Sequence, residues 1–388
     1  MKIQVKNIYK IFGNKPEAQL GKVKAGMGKE ALLDETGHTL GLNDISLDIE
    51  EGQIFVIMGL SGSGKSTLIR HFNRLIEPTD GHIIINGQDV MALPERELED
   101  FRRHKISMVF QRFGLLPHKS VLDNTAYGLQ IQGVGKAERA EKAGYWLEQV
   151  GLKGFEEQYP HQLSGGMQQR VGLARALTTD PEILLMDEAF SALDPLIRRE
   201  MQDQLLELQQ KLHKTIVFIT HDLDEALRLG DRIAILRDGE LVQVGSPEEI
   251  LLKPADDYVQ AFVQDVNRAR VLTASHVLAP AKLTVTLKSK PQQAVELLKE
   301  HSSEYACVLD GTQLKGLITV LDAQRALNDN ADSLANYLSS VESVRSDTEL
   351  EQILPNILSN NGAPIAVTGK DGGFKGWVSC EKLISLVA

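Results

Sequence analysis

Cysteine is scarce in this sequence: Cys307 and Cys380 are the only two in 388 residues, and they stand far apart. Two thiols without metal-type spacing neither staple a small secreted fold nor hold zinc, which fits a reducing compartment. Long hydrophobic runs are missing too. No stretch approaches the roughly eighteen continuous apolar residues of a membrane span, so if the chain works at a membrane, another chain spans it. The opening residues Met1-Lys2-Ile3-Gln4-Val5-Lys6 alternate apolar with polar like a strand and lack the apolar core of a signal peptide. Excess positive charge is lacking as well: 42 Lys+Arg stand against 53 Asp+Glu, a formal charge of −11. That is a poor match to a chain that holds nucleic acid through its phosphates, and no nucleic-acid partner is expected. With 13 Pro and 32 Gly the collagenous and disordered classes drop out. What remains is 42% hydrophobic and long enough for two or three domains.

Residues 1–268 alternate short apolar runs with helix-like segments, which predicts an α/β domain with a mainly parallel sheet. The runs at 54–58, 183–186 and 216–219 are strongly apolar and end directly in polar residues, as buried parallel strands do. Ligands of such sheets bind beyond the carboxyl ends of the strands. Residues 94–162 are richer in helix formers and read as a helical subdomain, and residues 15–41 read as a surface insertion. The tail, 271–388, is a different object. Its stretches 305–309 with 315–319, and 364–367 with 375–379, each pair two strands around a Gly-containing turn before a helical segment, which reads as a tandem repeat.

Three features carry chemistry. Gly59-Leu60-Ser61-Gly62-Ser63-Gly64-Lys65-Ser66 fits the phosphate-binding pattern GxxxxGK[ST], after a strand and before the helical 67–75. Its glycines let backbone N–H groups wrap phosphates, Lys65 reaches the β and γ phosphates, and the Ser66 hydroxyl ligates Mg²⁺, with Thr67 opening the helix. Asp187-Glu188 follow the run 183–186. Asp187 suits the Mg²⁺ hydration shell and Glu188 suits a proton acceptor for the attacking water. Leu163-Ser164-Gly165-Gly166-Met167-Gln168 supplies a second Gly-rich turn before a helix, an anion site or a plain cap by Ser164.

With these motifs in this order, residues 3–265 resemble the ATP-binding cassette family. The resemblance implies a P-loop, RecA-like core with antiparallel β and helical subdomains. It implies an ATP hydrolase coupled to transport, with ATP and Mg²⁺ as cofactors. Gln111 then matches the Q-loop glutamine near Mg²⁺ and the γ-phosphate, Ser191-Ala192-Leu193-Asp194 the D-loop, and His221 the switch histidine that contacts the γ-phosphate. In this family two copies pack head to tail, so that Ser164, Gly165, Gly166 and Gln168 of one close over ATP on the phosphate loop of the other. Phe12 best matches the aromatic that stacks on adenine, with Tyr9 as the alternative.

A finer resemblance is to the ATPase subunits of glycine betaine/proline importers. It rests on Asn73-Arg74-Leu75-Ile76-Glu77-Pro78-Thr79, on Met186 to Arg198 with its Ala189-Phe190, and on the insertion ending Thr36-Gly37. It implies import of a compatible solute such as glycine betaine, proline or carnitine through separate permease subunits and a substrate-binding protein. The place would be the cytoplasmic face of the bacterial inner membrane, peripherally. The tail resembles a tandem pair of cystathionine β-synthase-type (CBS) domains. Thr319-Val320-Leu321-Asp322 fits the pattern whose acid contacts a ribose, whereas Ser379-Cys380-Glu381-Lys382 puts lysine in place of that acid. Such a tail implies regulation by cyclic di-AMP or another adenine nucleotide, or else a ligand-free dimerisation platform on a cassette of another importer class. Soluble cassette proteins of DNA repair or translation usually carry a long coiled-coil insertion or two cassettes, and neither is present. A pure nucleotide sensor would not need a full hydrolytic set. The charged stretch 198–214 reads as a solvated helix face or as a face for anionic lipid.

Overall fold

The structure, a computed structural model, describes residues 3–111, 114–281, 283–359 and 365–387. Met1, Lys2 and Pro364, included in the strand readings above, and Ala388 lie outside the described residues. The chain divides into two compact units, Met1–Val266 and Asn267–Ala388.

In the first unit β1 (Ile3–Phe12) is joined to its antiparallel neighbour β2 (Thr39–Ile49) by α1 (Glu17–Lys24) and α2 (Lys29–Thr36). The region read as a surface insertion therefore folds as two helices. Val23 and Leu32 bury against Tyr9, Ile11 and Leu40, a small core that holds the pair to the sheet. β3 (Ile54–Met58) leads into α3 (Lys65–Phe72), and β4 (Asp80–Ile85) with β5 (Gln88–Asp89) completes an antiparallel sheet of order β2-β1-β4-β5. Then follow α4 (Glu95–His104), β6 (Ile106–Val109), α5 (Val121–Thr125), α6 (Tyr127–Ile131), α7 (Lys136–Gln149) and α8 (Gly165–Thr178). The range 94–162, read as mostly helical with a strand-like 106–110 before Gln111, holds such a strand and shares its packing with a later helix. β6 belongs to the core sheet, paired in parallel with β7 (Ile183–Asp187), and the packing of α5 and α7 runs on into α8.

The chain closes with α9 (Pro195–Leu212), β8 (Thr215–Thr220), α10 (Leu223–Leu229), β9 (Arg232–Arg237), β10 (Glu240–Gly245), α11 (Pro247–Leu252) and α12 (Asp257–Val263). The second sheet has the order β10-β9-β3-β8-β7-β6, parallel except for β10 on β9. Every residue of β3, β7 and β8 is buried, because both faces of this sheet are covered. Phe55, Ile57, Leu185, Val217 and Ile219 share one core with Leu68 and Phe72 of α3 and with Ile45 and Ile83 of the antiparallel sheet. Each such side chain stabilises the fold by about 1.5–3 kcal/mol through burial. That packing holds the carboxyl ends of β3, β7 and β8 side by side.

The second unit repeats one pattern. β12 (Thr284–Thr286), α13 (Pro291–Glu300), β13 (Tyr305–Asp310), β14 (Gln313–Thr319) and α14 (Val320–Asn328) form a β-α-β-β-α run. β15 (Ser343–Arg345), α15 (Leu350–Ser359), β16 (Ala366–Thr368), β17 (Phe374–Val378) and α16 (Cys380–Val387) form another. In both, the first two strands pair in parallel and the last two antiparallel. The short β11 (Leu278–Ala279) adds to β17.

Candidate functional site

The loop after β3 depends on glycine at two points. Gly59 has φ +149, and a Cβ there would come within 2.2 Å of the Leu236 carbonyl oxygen; Gly64 has φ +99, and its Cβ would lie 2.7 Å from the Gly41 carbonyl oxygen. A side chain at either place would push the loop off the sheet edge. The loop curls over Lys65, whose buried ammonium donates to the carbonyls of Gly59 at 2.7 Å and Leu60 at 3.0 Å. Burial lowers the Lys65 pKa, and the charges of Glu188 and Asp187 act against that shift.

Two strands away, β7 brings Asp187 against α3. The Ser66 hydroxyl donates to Asp187 Oδ1 at 2.8 Å, and Arg70, one helical turn on, lies 3.1 Å from Oδ2. Glu188 follows with φ 46, a left-handed backbone that costs a non-glycine residue about 1–3 kcal/mol and persists only where its surroundings hold it. They do: its N–H donates to the Ile219 carbonyl of β8 at 3.2 Å, and the Ser191 hydroxyl donates to its carbonyl at 2.9 Å. Its carboxylate accepts from Gln111 Nε2 at 3.0 Å, and His221 Nδ1 lies 3.6 Å from the same oxygen. The ends of β7 and β8 and the segment after β6 thus converge on one carboxylate.

A cleft of about 380 Å³ runs from Glu188 past Lys65 and Gly62 to Phe12. Phe12 is 39% exposed, and the Lys10 ammonium stands 5.1 Å from its ring centroid. Tyr9, the alternative aromatic, is buried in the core of the α1–α2 pair and offers no free face. Ser61, Ser66 and Thr67 also line the cleft. The oxygen donors of Ser66 and Asp187 suit Mg²⁺, which takes few protein ligands and completes its shell with phosphate and water. No group of three or more His, Cys, Asp or Glu capable of holding a metal occurs among the described residues.

The signature residues do not line this cleft. Ser164 caps α8 by accepting from the Met167 N–H at 3.3 Å, and Gln168 Nε2 donates to the Leu163 carbonyl at 3.2 Å. A Cβ on Gly166 would meet Ile197 Cγ2 at 2.6 Å, so this glycine lets α8 pack against the start of α9. There Asp194 caps α9, accepting from the Ile197 N–H at 3.1 Å. In the tail Asp322 accepts from the Thr319 hydroxyl at 2.6 Å at the start of α14. At the equivalent place in the second repeat, the Lys382 ammonium donates to the Leu278 carbonyl at 2.8 Å, a job no acid could do.

Sequence reasoning missed several residues here. Arg70 was findable, since four residues beyond Ser66 on a helix is the same face. Arg198 belonged to a stretch read as a solvated or lipid-facing surface, and the structure corrects this for Arg198 itself. Its guanidinium donates to the carbonyls of Ser191 at 3.4 Å and Leu193 at 3.2 Å and pairs with Asp222 at 3.3 Å, tying the segment before α9 to the residue after His221. Below it, Gln202 of α9 donates to the buried Glu225 of α10 at 3.0 Å, and burial raises the Glu225 pKa. A second groove of about 360 Å³ is lined by Phe110, the residue before Gln111, with Leu75 and Ile131 also exposed and Tyr127 along it.

The sequence pattern of the ABC transporter family matches residues 42–191. The glycine betaine transport ATP-binding protein OpuAA of Bacillus subtilis is 51% identical over 391 residues, spanning 100% of this chain and 93% of that protein. The glycine betaine/proline betaine transport system ATP-binding protein ProV of Escherichia coli is 49% identical, spanning 99% of this chain and 97% of its own length. Among solved structures, the dimeric post-hydrolysis state of the ATP-binding cassette MJ0796 bound to ADP and Pi is similar with a TM-score of 0.54 and 34% identity, over 63% of this chain and 98% of that one.

Proposed function

Since the chain belongs to the ABC transporter family, as an ATP-hydrolysing transport subunit of the glycine betaine branch, we propose that it powers import of a compatible solute such as glycine betaine, proline or carnitine. The observation that supports the reading best is the convergence on Glu188 of Gln111, His221 and the β8 backbone, across a cleft from Lys65.

In this reading the N–H groups of the 59–66 loop and Lys65 bind the ATP phosphates, and Phe12 stacks on adenine. Ser66 would hold Mg²⁺ directly and Asp187 through water, and the bound ion would neutralise charge on the transferring phosphoryl group. Asp187 is already oriented by Ser66 and Arg70. Glu188 accepts a proton from the attacking water, Gln111 holds its carboxylate in place, and His221 stands ready to contact the γ-phosphate. Ser164, Gly165, Gly166 and Gln168 act in trans, on the ATP of a second copy, and Asp194 anchors the segment that passes between the two. The groove with Leu75, Phe110, Ile131 and Tyr127 receives a helix of a permease subunit, so closing and opening of the cassette pair moves the membrane subunits. No helix among the described residues is long and apolar enough to cross a membrane. The chain would sit peripherally on the cytoplasmic face, supplied with solute by a substrate-binding protein.

The tail, read as a CBS pair, regulates the motor by binding cyclic di-AMP or another adenine nucleotide near Asp322. One observation favours the second reading, a dimerisation platform: Leu321 of α14 is 71% exposed and Ile384 of α16 is 65% exposed, two apolar side chains on helices that occupy equivalent places in the repeats. The test of the proposed function is ATPase activity of the complex co-purified with its permease subunits. Hydrolysis stimulated by glycine betaine, proline or carnitine, and not by unrelated amino acids or sugars, is expected. Stimulation by another solute class would transfer the chain to another importer type.

A further inference from the structure

The side chains of the α1–α2 pair have no role in the chemistry above. Lys29, the first residue of α2, nevertheless lines the same cleft as Phe12, Gly62 and Lys65. The small core around Leu32 and Val23 fixes α2 on β1 and β2, so Lys29 is presented to the cleft from a packed helix. Its charge is not strongly committed. The nearest carboxylate, Asp238 Oδ1, lies 3.6 Å away and belongs to a side chain that is 68% exposed. Such a pair contributes only ~0–1 kcal/mol and yields readily to a stronger anion.

The position of that acid locates Lys29 along the cleft. The N–H of Gly239, next to Asp238, donates to the carbonyl of Ser63 within the phosphate loop at 3.1 Å, and the Gly239 carbonyl accepts from Asn43 at 2.8 Å. Lys29 thereby lies near the loop, whose own Lys65 is buried. The cleft that runs from Glu188 to Phe12 is lined by two lysines, one from the loop helix and one from the insertion.

We propose that Lys29 is a nucleotide-binding residue: its ammonium pairs with the non-transferred phosphates of ATP, and Asp238 releases it when the nucleotide enters. The proposal rests on the cleft being the ATP site. Because α and β phosphates are present before and after hydrolysis, the contact is made equally in ground and transition states, and losing it raises KM without changing kcat.

The experiment compares Lys29→Met, Lys29→Arg, Asp238→Asn and Lys65→Ala in the full-length chain. Calorimetry with ATP and with ADP measures binding, and steady-state ATPase kinetics are taken in the assembled importer. Lys29→Met is expected to weaken ATP and ADP equally, by roughly tenfold, as for one lost charge-assisted contact. KM should rise by a similar factor with kcat unchanged, and Lys29→Arg should restore both. Asp238→Asn should bind nucleotide as tightly as the parent or tighter, because the ammonium no longer has to leave a carboxylate. Wild-type binding by Lys29→Met while Lys65→Ala binds nothing would overturn the inference and leave the cleft intact as the ATP site. Weakening by Asp238→Asn as large as that by Lys29→Met would overturn it too, since the pair would then act by holding the loop. If Lys65→Ala itself bound ATP normally, the reading of the cleft would fail first.

Discussion

The two units are built from the same local elements, strands alternating with helices, yet they do different things with the residues at their strand ends. In the first unit the ends of β3, β7 and β8 are adjacent in one sheet, so Lys65 and Glu188, more than a hundred residues apart in the chain, line one cleft, and His221 stands 3.6 Å from the Glu188 carboxylate. In the second unit each repeat has its own small sheet. The polar residues at its strand end, Thr319 with Asp322 and Ser379 with Lys382, cap the next helix. Catalysis by positioned groups requires several side chains held in mutual reach, and one broad parallel sheet supplies that where two separate small ones do not. The strain at Glu188 makes the same point: a left-handed residue is tolerated where three neighbouring segments bond to it.

If the first unit alone carries hydrolysis, removing its proton acceptor should produce the largest effect. Glu188→Gln is expected to keep ATP binding and lower turnover by about 10²–10⁴-fold, the usual contribution of a general base, because the phosphate loop is untouched. Near-normal steady-state hydrolysis would remove Glu188 from that role and erase the contrast. A smaller effect is expected one layer out. Arg198→Met frees the Ser191 and Leu193 carbonyls and Asp222 together, so kcat should fall by roughly tenfold, equivalent to about 1.4 kcal/mol of transition-state stabilisation. ATP affinity should be unchanged, and a rise in KM alone would show that the Arg198 ties serve binding.

Acid and alkali should separate the units by stability. His71, fully buried on α3, is pushed down to about 4 from 6.5 by burial. Between those values the unfolded chain takes up a proton that the folded first unit refuses, so its stability falls as pH drops from 6.5 toward 4, by roughly 3 kcal/mol at most. Cys307 of the second unit, buried beside Trp377, is pushed up to about 11 from 9.0. There the unfolded thiol ionises first, so stability is intact below pH 9 and lost between 9 and 11. Thermal unfolding followed across pH should show the acid slope flatten in His71→Leu and the alkaline slope flatten in Cys307→Val. Either substitution flattening the wrong slope would contradict these assignments.

Motifs whose residues are consecutive and follow an apolar run were legible before any fold was known. Gly59 to Ser66 and Asp187-Glu188 need only the strand before them to gain meaning, and the repeat of the tail showed in its paired strands. Residues whose partners are distant in sequence were not legible. Arg198 reaches Asp222 and Lys29 reaches Asp238, contacts that depend on how α9 and α2 pack, so one read as surface charge and the other vanished into an insertion. Tyr9 and Phe12 sit on one strand in similar sequence surroundings. What separates them is the α1–α2 pair, which covers Tyr9 and leaves Phe12 in the cleft.

The division of labour between the units is tested most directly by ATPase activity of the assembled importer carrying either the full chain or a chain ending near Val271, each titrated with cyclic di-AMP. Hydrolysis by the shortened chain at close to the parent rate is expected, because Lys65, Asp187, Glu188 and His221 all lie in the first unit. Any nucleotide inhibition of the full chain should vanish with the tail, since a ligand shifts the motor only by binding its active and inactive states unequally. Loss of hydrolysis on truncation, or inhibition that persists without the tail, would contradict the account.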